Sequence, residues 1–204
     1  SSSTYAQIKI NEILTSTDEE DEFGASLEWI EFYNASDSAI NLLGYTLSDD
    51  PLAPTKWMFG AAEIPARGFF RVWATGYDLL DRGNYHTNFR LDRDGDLLAL
   101  YRPDGTEEDV LNYPIQRRNI SYGRKPDGGE TWQYFSEPTP GQSNTSAGVI
   151  GFMEKPFFSV PGGVYSKAFS LELSSRVPDA EIRYTLNGSE PTESSARYHS
   201  PISV

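Results

Sequence analysis

Carboxylates are the groups in this sequence most able to do chemistry, and their spacing points to cations before catalysis. Asp18-Glu19-Glu20-Asp21-Glu22 is the densest charge run. Hard oxygen donors of this kind gather Ca2+ when a loop wraps them around the ion, and Asp18 and Glu20 are the candidate ligands. Adjacent carboxylates also repel one another, so a run of this type reads first as a solvated loop. Asp49-Asp50, ahead of Pro51, is a second candidate pair, which turn chemistry explains equally well. Asp92-Arg93-Asp94-Gly95-Asp96 imitates the start of an EF-hand loop. The imitation fails, because the sixth position holds Leu97 rather than Gly and the twelfth Pro103 rather than Glu. No cofactor is expected, and Ca2+ is the one ion the pattern admits.

Imidazole can come only from His86 and His199. No Gly-x-Ser-x-Gly elbow or His-Glu-x-x-His pair accompanies them, so no residue is assigned a catalytic role. Paired carboxylates carry no specific signal either, since among 30 acids some pair meets any given spacing by chance. Aromatic side chains are the remaining lever. Sugars stack on exposed indole faces, and Trp73 and Trp132 are the candidate glycan platform, with core packing as the competing account. Asn34, Asn119, Asn144 and Asn187 each open an Asn-x-Ser/Thr triplet, a pattern with a high chance rate that matters only in a glycosylating host.

These groups have to be held by strands. Period-2 patterning dominates, with Ile30 and Phe32 on one face of Glu28–Tyr33, as in a half-buried antiparallel strand. Phe69–Ala74 reads as another strand. Phe89–Leu91 and Leu97–Tyr101 flank the 92–96 segment as the arms of a hairpin with Asp-Gly at its tip. Helical periodicity is nearly absent, and Asp78-Leu79-Leu80-Asp81 offers one short turn of helix at most. Turn signals recur at the roughly 8–12 residue spacing of all-β sandwiches.

The formal charge is −13, and nearly all of it lies before residue 148. Arg117-Arg118 and Arg124-Lys125 are the only adjacent basic pairs, too few to make a basic patch, so neither nucleic acid nor an anionic membrane surface is an expected partner. No apolar run approaches the ~20 residues that span a bilayer, so direct membrane insertion is not expected. Without Cys there is no disulfide and no thiolate metal site. The chain opens on Ser1-Ser2-Ser3 rather than Met, as after a removed leader or at an arbitrary boundary.

Ile10-Asn11-Glu12-Ile13, Glu28-Trp29-Ile30-Glu31-Phe32-Tyr33-Asn34 and Leu43-Gly44-Tyr45-Thr46-Leu47-Ser48-Asp49 follow one another in order. Then come Trp57-Met58-Phe59, Ile64–Phe69, Ile120–Arg124, Pro126-Asp127-Gly128, Thr139-Pro140-Gly141 and Asn144. The series resembles a lamin tail domain of bacterial type, which implies an immunoglobulin-like β-sandwich over 5–144. The polar run Thr139–Ser146 leads into a linker at 145–153. Residues 154–204, through Tyr184-Thr185-Leu186-Asn187-Gly188-Ser189-Glu190-Pro191-Thr192 and Tyr198, resemble the C-terminal domain of chitobiases and β-hexosaminidases, with Asn187 where that family usually has Asp. This implies a second small immunoglobulin-like sandwich. That family continues beyond the equivalent of Val204, so the module is expected to be incomplete.

The fold class is therefore all-β, two sandwich modules. The pairing implies a non-catalytic structural or binding segment of a larger secreted or surface-attached bacterial protein, meeting a protein or a cell-surface glycan. Such a segment mediates adhesion, scaffolding or presentation of an associated domain. The alternatives are a carbohydrate-binding accessory to a secreted enzyme and a Ca2+-dependent interaction module. A nuclear lamina role is disfavoured, because neither a heptad rod nor a basic import signal is present.

Overall fold

The computed structural model describes residues 7–20, 26–81, 83–152, 155–177 and 180–204. Asp21 and Glu22 of the acidic run, the opening serines, the expected domain start at residue 5 and the 153/154 boundary lie outside the described residues. Twenty strands and no helix occur among the described residues. The chain divides into two compact units, 1–151 and 152–204.

In the first unit β1 (Ile8–Leu14), β2 (Trp29–Asn34) and β7 (Phe69–Trp73) form the centre of an eight-stranded sheet. β12 (Ser121–Arg124), β13 (Trp132–Phe135) and β14 (Gly148–Val149) extend it on one side. β9 (Asn84–His86) and β8 (Leu79–Asp81) extend it on the other. Facing it is a four-stranded sheet ordered β11 (Glu107–Tyr113), β10 (Asp96–Tyr101), β4 (Thr46–Ser48), β5 (Trp57–Met58). A small ladder of β3 (Ile40–Asn41) and β6 (Glu63–Ile64) stands apart. The core joins Ile8, Ile10, Ile13, Ile30, Phe32 and Val72 to Leu47, Trp57, Phe59, Leu98, Leu100 and Leu111. Phe59 meets Phe32 edge-on at 5.5 Å and Trp57 at 4.7 Å, an arrangement aromatic quadrupoles favour.

A bulge sets the register of β1. Its pairing with β2 slips between Ile10 and Glu12, which leaves Asn11 as the extra residue. Ile10 and Ile13 therefore both enter the core despite their odd spacing, and Glu12 falls opposite Glu31. Asn11 spends its side chain on the neighbouring turn, donating to Asp127 and accepting from the Gly128 amide.

Two local expectations are corrected. Leu79–Asp81 is an edge strand paired with β9, not a turn of helix. Gly76 and Asp78 both adopt positive φ, and Asp78 N–H donates to Thr87 O, which turns the chain back into a ladder before a helix can start. The 92–96 segment forms a turn but not the tip of a hairpin. β10 pairs with β4 and β11, whereas Arg90 and Leu91 bond the Glu28 carboxylate and so are held away from β10.

The second unit contains three two-stranded ladders. They pair β15 (Phe157–Phe158) with β17 (Leu173–Ser174), β16 (Ser170–Leu171) with β20 (Ile202–Ser203), and β18 (Arg183–Tyr184) with β19 (Ala196–Arg197). Gly188 turns at positive φ after Asn187, the role that an Asn-Gly pair suits.

Candidate functional site

β2 was expected to be half-buried, but both of its faces are covered. Its outward set, Trp29, Glu31 and Tyr33, stands opposite Trp73, Arg71 and Phe69 of β7. Loops fold over this face. Gly128 packs on the Tyr33 ring, and the segment from Thr139 to Asn144 closes over Glu12 and Glu31. Both carboxylates have 0% exposure.

Each glutamate is held by that segment. Glu12 accepts from Ser121 Oγ at 2.5 Å, from Thr139 N at 3.2 Å and from Thr139 Oγ1 at 3.1 Å. Glu31 Oε2 accepts from the Gly141 amide. Glu31 Oε1 is buried and accepts no hydrogen bond among the described residues. Asn144 ties the segment down, donating to Arg124 O and Asp127 and accepting from Thr139 Oγ1. Burial pushes the Glu31 carboxyl up to about 8; the Glu12 and Asp127 charges add to the rise, while the Gly141 amide and Arg71 oppose it. Burial raises Glu12 as well, against the hydrogen bonds from Ser121 and Thr139.

Beside this pair a groove of about 460 Å³ opens over Trp29, Arg71 and Trp73, walled by Pro138 and Pro140 on one side and by Asp18 and Asn119 on the other. Trp29 is buried and Trp73 half-buried. The Arg71 guanidinium lies over the Trp73 ring at 4.3 Å, so a ligand would meet a cation as well as an indole.

Of the candidate residues, Asp18 and Trp73 border this groove; the others are not gathered there. Asp18 pairs with Arg118 at 2.5 Å and exchanges two hydrogen bonds with Asn119. Glu20 is exposed, in a bridge with Ser26. Asp49 pairs with Lys56 at 2.6 Å, and Asp50 accepts from Leu52 N as a turn residue does. No group of three or more Asp, Glu, His or Cys among the described residues is placed to hold a metal. Trp132 is stacked on Tyr122 at 5.0 Å and lies under Arg124 at 4.6 Å, far from a free platform. Of the Asn triplets, Asn34 and Asn144 are buried with their amides fully engaged, whereas Asn119 and Asn187 are exposed.

Glu12 and Glu31 were not read as a site from the sequence. The signal was present, since each is an acid inside an otherwise apolar strand phrase, with Thr139-Pro140-Gly141 supplying backbone donors far along the chain. The second unit has its own opening of about 590 Å³, bordered by Phe158, Tyr165, Phe169 and Val204.

The family model described as Lamin Tail Domain matches residues 1–114. The model described as chitobiase/beta-hexosaminidase C-terminal domain matches residues 160–204. No curated protein matches the chain.

Proposed function

The chain belongs to the lamin tail domain family, and from that premise we propose that it is a non-catalytic binding or presentation segment of a larger secreted or surface-attached bacterial protein. The observation that carries this reading is the pairing of an immunoglobulin-like module with one of the type appended to chitobiases. Neither kind of module carries catalytic groups of its own, and the chitobiase type suits an extracellular setting. The described chemistry agrees with it. The buried acids hold a loop, and of the candidate acids Asp18 is engaged with Arg118 and Asn119 and Asp49 with Lys56. Among the described residues no helix is long and apolar enough to cross a membrane.

The partner is a protein or a cell-surface glycan met by a rigid sheet edge and its loops. Edge strand β8, with Leu80 59% exposed, offers backbone hydrogen bonds to an added strand. Substituting Leu80→Lys puts a charge on that exposed edge and leaves the ladder with β9 in place; it is expected to weaken a partner that docks there without lowering the melting temperature of the first unit. Pull-down of a candidate partner by wild type and variant measures this, and equal capture by both excludes the β8 edge.

A second reading, a carbohydrate-binding accessory, is favoured by the Trp73 groove. A glycan array followed by calorimetry on the best sugar tests it. Trp73→Ala is expected to lower affinity at least about fivefold, because stacking on an aromatic face contributes on the order of 1 kcal/mol or more. Binding that survives the substitution excludes the groove.

A further inference from the structure

We propose that Glu12 and Glu31 together carry one proton, on Glu31 Oε1, and that this proton latches the Pro138–Asn144 segment onto the sheet, so that the segment is released as the pH rises. The geometry requires some such occupant. Two carboxylates stand opposite each other on paired strands. Both are inaccessible to solvent, and one oxygen is left without a donor. Two full charges on facing positions of paired strands in a buried site are costly, and a proton on the orphan oxygen removes one of them.

A cation is the competing occupant, and the surroundings argue against it. Ca2+ takes six to eight oxygens, whereas the Glu12 oxygens already accept from Ser121 and Thr139, and Glu31 Oε2 from Gly141.

The charged and polar groups facing the pair come from every element around it. Arg71 on β7 favours ionisation of Glu31, Asp127 in the 126–129 turn opposes it, and Ser121 on β12 and Thr139 in the segment favour the ionised form of Glu12. When the segment lifts, Glu31 becomes solvated and returns toward its ordinary value of 4.5. Between that value and about 8 the closed state holds a proton that the open state has lost. Closure therefore weakens as pH rises through that window, by up to about tenfold per pH unit for one proton. Since Pro138 and Pro140 wall the groove, the latch also sets the shape of that wall, whatever the groove binds.

Amide hydrogen exchange on the full chain at pH 5 to 9, expressed as protection factors, reads this directly. The wild type is expected to lose protection at Thr139 and Gly141 by tenfold or more between pH 6 and pH 8, while β2 amides keep theirs. Glu31→Gln, neutral at every pH, is expected to flatten the dependence. Should E31Q not fold, Glu12→Gln serves, because loss of the neighbouring charge moves the pH midpoint of release downward. Protection that is independent of pH in the wild type overturns the proposal, as does an E31Q slope equal to the wild-type slope. Restoration of closure at pH 8 by Ca2+ or K+ would make the occupant a cation and overturn it too.

Discussion

Asp109 takes donors from three places. Ile10 N reaches it at 2.9 Å, Lys9 Nζ at 3.1 Å and the Arg124 guanidinium at 3.0 Å. Arg124 also donates to Ile10 O and is itself buried. With Glu108 accepting from Ile8 N, Glu108 and Asp109 of β11 satisfy the part of β1 that β12 does not reach, since the β1–β12 register covers only Glu12 and Ile13. Side chains here replace a backbone ladder, and the two sheets are joined along that seam. Asp109→Ala leaves Arg124 buried without its carboxylate, and removing one partner of a buried pair costs about 3–5 kcal/mol. Urea denaturation of the first unit should show that loss, and a change below about 1 kcal/mol would reduce the seam to a surface contact. None of this was legible in the sequence. Glu108-Asp109 reads as one more acidic pair in a chain of net charge −13, because which acids are buried is decided by strands about a hundred positions away. The glutamates of β1 and β2 were missed for the same reason. Their phrases marked the strands, but the loop that buries them begins at Thr139.

At the scale of elements, strand existence was readable wherever apolar alternation was strong, as in β2, β7 and β10. Gly44 adopts the positive φ of a sharp turn, and Trp57 packs in the core between the sheets. Pairing was less readable. The 92–96 segment has the composition of a hairpin tip, yet Arg90 and Leu91 are drawn to Glu28 and β10 pairs elsewhere. Residues 145–153 read as linker, and Gly148–Val149 within them adds as an edge strand to β13. Gly123 on β12 exists to let the 139–144 segment approach. Gly123→Ala forces Asn144 away from Arg124 O and is expected to cost about 1–3 kcal/mol as overpacking, with faster exchange at Thr139 and Gly141 at every pH. A variant as stable as wild type, with unchanged exchange there, would mean that the segment is not held by close packing.

Across the whole molecule the two units differ in how much they bury. The first packs eighteen buried side chains into one core cluster. In the second, among the described residues, Leu173 and Ile202 are the buried apolar side chains, while Phe158, Val164 and Leu186 stand exposed. Apolar burial contributes roughly 25 cal/mol per Å², so the second unit is the less stable. Hydrogen exchange along a denaturant series is expected to open residues 157–203 before β1, β2 and β7, and a single shared midpoint would contradict that. The all-β class and the two modules were legible because short apolar strand phrases recur between turn signals, and because two ordered series of such phrases resemble known modules. Under the proposed function the chain binds and presents without turning anything over. The most direct test is saturable retention of the labelled chain on bacterial surface preparations, before and after protease or glycosidase treatment, with product release followed in parallel. The expected result is saturable retention that one treatment abolishes, with no products formed. Release of products in proportion to the amount of chain, or no saturable retention on any preparation, would contradict it.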